Sequence, residues 1–206
     1  LLKIIRSEGL RVDAMSPGEL FLEEQAGFTP EEIIYICNNV SAEELRLPLE
    51  KGLLIGVDSL SQLDALGRQN PGSRVMVRFN PGIGAGHHQK VITAGAHTKF
   101  GIGRGDLAAL REILKRHKLT LAGLNQHIGS LFMEPRGYLE AMDVLLEVAE
   151  EFLPDLSVVD FGGGFGIPYH KYDAQPRLDI NLLAQGFHKR VADWAEKHNY
   201  SGRFLI

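Results

Sequence analysis

The sequence predicts an α/β fold of the (β/α)8 barrel type, incomplete by one strand. Three observations carry this expectation. Short β-rich runs alternate with segments of helical period along the whole chain, the pattern of βαβ units and a parallel sheet. The strand-like runs number seven, one short of a closed barrel. The glycine cluster Gly162-Gly163-Gly164 follows the sixth of them, whereas a doubly wound sheet would carry its phosphate turn after the first strand.

Leu1 to Glu8 reads as a helix stopped by Gly9, and Leu10 to Ala14 as the first strand. Ser16-Pro17-Gly18-Glu19 has the cap, the first-turn proline and the reciprocal glutamate that start a helix running to about Gly27. Ile33 to Cys37 is the next strand, and Ser41 is placed to cap a helix through Glu50. Leu53 to Val57 is a strand and Ser59 opens a helix to Arg68. Arg74 to Asn80 is a strand, followed by a long glycine-rich loop, a helix near Asp106 to His117 and the strand Leu121 to His127. A helix from Pro135 to Phe152, the strand Leu156 to Phe161, a helix from Ile180 to His198 and a last strand at Phe204 complete the series.

Composition narrows the function classes. The chain has 206 residues, 44% hydrophobic and 23% charged, which places it among globular proteins able to bury a core. With 22 basic against 26 acidic residues and no basic stripe, nucleic acid is not an expected partner. No apolar run is long enough to cross a bilayer, so a cytoplasmic location is expected. Cys37 is the single cysteine, which excludes an intrachain disulfide; it follows Ile33-Ile34-Tyr35-Ile36 and is expected to be a core residue.

The residues with chemical potential fall just after strands: Asp13 on the first, Arg78 and Asn80 on the fourth, His127 on the fifth and the glycines on the sixth. In a barrel these positions share one rim, where loops converge on a ligand. Consecutive glycines let backbone N–H groups turn toward an anion, most simply a phosphate. A packed turn without ligand is the competing reading. His127-Ile128-Gly129-Ser130 adds an imidazole that could lie against a planar ring and a hydroxyl that could bind the same phosphate. Asp13 and Arg78 are charges on apolar strands, readable as a pair across the mouth or as two solvated rim charges. Gly86-His87-His88 does not make a metal site, because adjacent histidines diverge and no carboxylate stands at ligand spacing.

These segments, taken together, resemble a known family. Ser16-Pro17-Gly18-Glu19-Leu20, Arg78-Phe79-Asn80-Pro81-Gly82, Lys99-Phe100-Gly101-Ile102, His127-Ile128-Gly129-Ser130 and Asp160-Phe161-Gly162-Gly163-Gly164-Phe165-Gly166-Ile167-Pro168-Tyr169 occur in the order and spacing of the diaminopimelate decarboxylases. These are pyridoxal-phosphate enzymes built on an alanine-racemase-like barrel. The resemblance implies that residues 1–206 form a partial pyridoxal-phosphate-binding barrel domain. It implies that Gly162, Gly163, Gly164 and Ser130 hold the cofactor phosphate, that His127 stacks on the pyridine ring, and that Asp13 and Arg78 line the pocket. Lys99 would lie at the interface of a homodimer with shared active sites. The reaction implied is loss of the α-carboxylate of meso-diaminopimelate to give lysine.

The family's Schiff-base lysine, its glutamate motif for the pyridine nitrogen, and its C-terminal β-domain with the catalytic cysteine are not found here. No catalytic residue is therefore assigned within the chain, and these residues alone are expected to be inactive. Two other readings stay open at this point. One is a decarboxylase of the same fold acting on a carrier-bound glutamyl group or carboxynorspermidine, and the other is a non-catalytic pyridoxal-phosphate-binding or scaffold protein.

Overall fold

The computed structural model describes residues 1–38, 40–41, 43–84, 94–95, 98–169 and 177–206. His87 and His88, considered above for a metal, lie outside the described residues. Among the described residues no group of His, Cys, Asp and Glu side chains could hold a metal ion, and no helix is long and apolar enough to cross a membrane.

Two compact units make up the chain. Leu1–Val77 with Ala108–Leu121 form the first, and Arg78–Leu107 with Ala122–Ile206 the second. Strands β1 (Val12–Ala14), β2 (Ile33–Ile36), β3 (Leu54–Val57) and β4 (Arg74–Arg78) run parallel in chain order. Helices α1 (Leu2–Ser7), α2 (Pro17–Ala26), α3 (Arg46–Glu50) and α4 (Leu60–Gln69) punctuate them. The second unit holds β6 (Val158–Asp160) and β7 (Arg203–Leu205), parallel in chain order beside the end of β5 (Thr120–Asn125), with α6 (Pro135–Glu150) and α7 (Ile180–His198). Helix α5 (Leu107–His117) precedes β5. Neither unit reverses its strand order, the reversal that a doubly wound sheet requires.

Register settles which face of the first unit's strands is which. Asp13 pairs with Ile34, Ile34 with Leu54, Ile36 with Gly56 and Gly56 with Met76, so these side chains share one face. Ala14, Tyr35, Ile55 and Val75 take the other face and are almost wholly buried. Cys37 lies in the same core, its sulfur 3.4 Å from the donating Gln62 Nε2. Burial pushes its thiol up to about 12, so it stays protonated and inert, as its apolar context suggests.

Three helix starts, those of α2, α4 and α7, follow the capping chemistry. Ser16 Oγ accepts from Glu19 N–H while Glu19 Oε2 accepts from Met15 N–H, and Ser59 and Asp179 cap α4 and α7. The segment after Ser41 departs from expectation. Ser41 and Glu44 do bond reciprocally, at 2.7 and 3.3 Å, yet residues 43–45 are only turns and the helix begins at Arg46. Pro48 supplies the reason: it has no N–H for the Glu44 carbonyl and its ring crowds that carbonyl, so a continuous helix cannot form. Strands are shorter than their apolar runs because a run reports burial, whereas a strand needs a ladder partner.

Helices α4 and α5 are joined by a polar clasp. Asp64 lies 2.7 Å from His117 Nε2 and also pairs with Arg68 and Arg116. A Cβ on Gly67 would stand 2.5 Å from His117 Cγ. Gly67→Ala is therefore expected to destabilise the protein by about 1–3 kcal/mol through overpacking. A urea titration should show the loss, and His117→Ala in the same background should recover part of it. An unchanged midpoint in the single variant would contradict the clasp.

Candidate functional site

The second unit brings most of the predicted residues to the carboxyl ends of its strands. Register places Gly123, Asn125, Val158, Asp160, Arg203 and Leu205 on one face, and Leu124, Val159 and Phe204 on the other. Phe204 stacks on Phe161 and meets Trp194 of α7 edge-on, so its face is the helix-packed one. Asp160 faces away from α7, two residues before the first of the glycines.

The glycine segment is held by backbone contacts that no side chain could tolerate. Gly162 has φ +67° and Gly164 φ +97°, the left-handed region. A Cβ on Gly162 would lie 2.3 Å from Gln126 O, and one on Gly164 2.0 Å from Gly129 O. Gly163 differs, since a Cβ there would have no described atom within 4 Å. Phe132 N–H donates to Gly164 O at 3.1 Å, Gly166 N–H donates to Phe132 O at 2.9 Å, and Phe132 and Phe165 form a parallel bridge. The segment after Ser130 is thus laced to the glycine loop. His127 and Ser130 are both half-buried beside it in sequence and in space.

Arg78 is only 7% exposed. Its guanidinium donates to His127 O at 3.3 Å and lies 4.9 Å from the Phe100 ring centroid. Lys99 Nζ lies 5.2 Å from the same centroid, with its side chain exposed. Hydrogen bonds and the ring thus offset the cost of burying the Arg78 charge. Asn80 organises the loop that follows: its Oδ1 accepts from Gly82 and Gly95 N–H, and its Nδ2 donates to Gly95 O and Thr98 Oγ1. Asp13 belongs to the first unit, where its side chain is exposed on the Ile34 face.

Sequence reasoning missed two contributors to this rim. Asp160 accepts the Gly162 N–H at 2.9 Å, and the Tyr138 hydroxyl donates to Gly162 O at 2.8 Å. Asp160 was legible in principle, because an aspartate two residues before a glycine is a common local turn. Tyr138 has no such mark, as it reads as one more apolar position of α6.

The residues present fit pyridoxal phosphate. The glycine loop presents an open face at Gly163, flanked by close-packed backbone that admits no side chain at Gly162 or Gly164. Beside it run the backbones of His127 and Ser130, with the Arg78 guanidinium on the His127 carbonyl, and these residue types suit a phosphate ester and a planar ring.

Fold and rim define an α/β-barrel protein whose distinctive residues gather at the carboxyl ends of its strands. The chain belongs to the pyridoxal-dependent decarboxylase family through its pyridoxal binding domain, whose family model matches residues 1–202. It is 38% identical over 189 residues to a diaminopimelate decarboxylase of Methanothermobacter thermautotrophicus, covering 89% of this chain and 44% of that protein. It is 33% identical over 175 residues to the diaminopimelate decarboxylase of Escherichia coli, covering 83% of this chain and 41% of that protein. A crystal structure of diaminopimelate decarboxylase superimposes on it with a TM-score of 0.87 at 29% identity, over 100% of this chain and 49% of that one. The barrel expected from the sequence is therefore its fold. The chain spans somewhat under half the length of these curated relatives.

Proposed function

We propose that this chain is the cofactor-binding part of a decarboxylase that converts meso-diaminopimelate to lysine with pyridoxal phosphate. The observation that carries the reading is the glycine loop, whose backbone is packed against Gln126 and Gly129 and whose open face lies at Gly163. Family membership and the two curated relatives, both named diaminopimelate decarboxylase, support it.

When bound, pyridoxal phosphate supplies an electron sink for the pair left behind as the α-carboxylate departs. The residues of this chain bind and orient. Backbone amides of the glycine loop and the Ser130 hydroxyl hold the phosphate, and His127 offers its ring face to the pyridine. Arg78, fixed by Phe100 and the His127 carbonyl, provides buried positive charge near the rim. Asp13 is assigned to the same cofactor by the family resemblance. A homodimer is part of the proposal, with exposed Lys99 at the interface.

Turnover tests the reading. Lysine and carbon dioxide should appear when the whole decarboxylase of which this chain is the cofactor-binding part is supplied with pyridoxal phosphate and meso-diaminopimelate, and His127→Ala in it should lower the rate by about 100-fold or more. Ornithine and arginine should not be turned over. Decarboxylation of another amino acid alone would reassign the substrate, and cofactor binding without any turnover would reassign the protein as a binding module.

A further inference from the structure

Every polar group of Gly162 is already engaged on the protein side of the loop. Its N–H donates to Asp160 Oδ1 at 2.9 Å and its carbonyl accepts from the Tyr138 hydroxyl at 2.8 Å. The carbonyl of Gly164 accepts from Phe132 N–H. Among the described residues, the N–H groups of Gly163 and Gly164 have no hydrogen-bond partner, and Gly163 is where the loop faces open space. A loop anchored in this way turns one set of donors outward and spends another internally.

We propose that Tyr138 is a positioning residue which, with Asp160, pins Gly162 so that the loop's anion donors are the N–H groups of Gly163 and Gly164 and not that of Gly162. This rests on the cofactor reading above and adds to it a division of labour within the loop. Tyr138 is 0% exposed, and its ring packs 5.2 Å from Phe132 and 5.4 Å from Phe165, centroid to centroid. Both of those residues belong to the segments bridged across the loop. The hydroxyl is thus delivered to Gly162 O by a helix, through a rigid aromatic cluster. Burial, and then the neighbouring Asp160 carboxylate, push its pKa up, so it remains a donor throughout the working pH range. Pre-organised amides bind an anion without the cost of ordering the loop at the moment of binding.

Tyr138→Phe keeps the ring and removes only the donation. Affinity for pyridoxal phosphate should fall about tenfold, while affinity for pyridoxal, which has no phosphate, should not change. Equal losses for both ligands, or no loss for either, would overturn the positioning role. The donor assignment is read separately on the unaltered protein, by following backbone amide resonances as inorganic phosphate is added. Gly163 and Gly164 should shift and Gly162 should shift least; a dominant shift at Gly162 overturns the assignment. Failure of the substrate reading alone would show as unchanged phosphate shifts and unchanged ligand discrimination with no lysine formed, so the two can be told apart.

Discussion

Gly164→Ala is expected to lower stability by about 3 kcal/mol and to abolish pyridoxal phosphate binding. The new Cβ would lie 2.0 Å from Gly129 O, a backbone atom that no rotamer change can move away. The backbone at φ +97° adds the cost of a left-handed conformation, about 1–2 kcal/mol for an L-residue. Relief requires the glycine loop and the His127–Ser130 segment to separate, which dismantles the cradle. Gly163→Ala is the informative partner. Its Cβ meets nothing and its backbone is not left-handed, so the folded state should be as stable as the original. The methyl group would nevertheless stand on the open face, so cofactor affinity should fall. Denaturant unfolding beside a cofactor titration separates the two effects: equal stability losses in both variants would contradict the assigned geometry.

The second large effect concerns pH. Glu23 of α2 is 5% exposed, and its Oε2 has no hydrogen-bond partner among the described residues. Burial, then the carboxylates of Asp13 and Glu19, raise its pKa from 4.5 to about 7. Between these two values the folded protein holds a proton that the unfolded chain has released. Raising the pH across that window therefore favours unfolding, and above it the penalty is complete. At about 1.4 kcal/mol per unit, the group costs up to about 3.5 kcal/mol at alkaline pH relative to acid. Glu23→Gln removes the charge and should flatten this profile. It should unfold at higher urea than the original at about pH 8 and at a similar concentration at about pH 5. Parallel pH profiles for the two proteins would show that Glu23 keeps an ordinary carboxylate pKa.

Much of the fold was legible because its signals are local. Helix α7 runs from Ile180 to His198 as its pattern predicts, since Asp179 caps one end and Asn199 turns left-handed at the other. The cap at Ser41 misled for an equally local reason: the box formed, but Pro48 decided how far a helix could extend. Strand ends were less legible because Leu121 or Leu156 is buried whether or not it finds a ladder partner. At the rim, glycines mark themselves, since little else requires three in succession. Arg78 was visible as a charge on an apolar strand, yet its support from Phe100 and the His127 carbonyl depends on loops that only the fold brings together. Tyr138 was hidden most completely. Periodicity reads it correctly as core, and nothing in the sequence says that its hydroxyl reaches a carbonyl 24 positions later.

The central claim is that the glycine loop holds the phosphate of pyridoxal phosphate, and one comparison tests it most directly. Binding of pyridoxal 5′-phosphate and of pyridoxal should be measured side by side on the same protein, with inorganic phosphate as competitor. Pyridoxal phosphate should bind at least about 100-fold more tightly, a difference of about 2.7 kcal/mol, and inorganic phosphate should displace it. Equal affinities for the two ligands, or indifference to inorganic phosphate, would contradict the account.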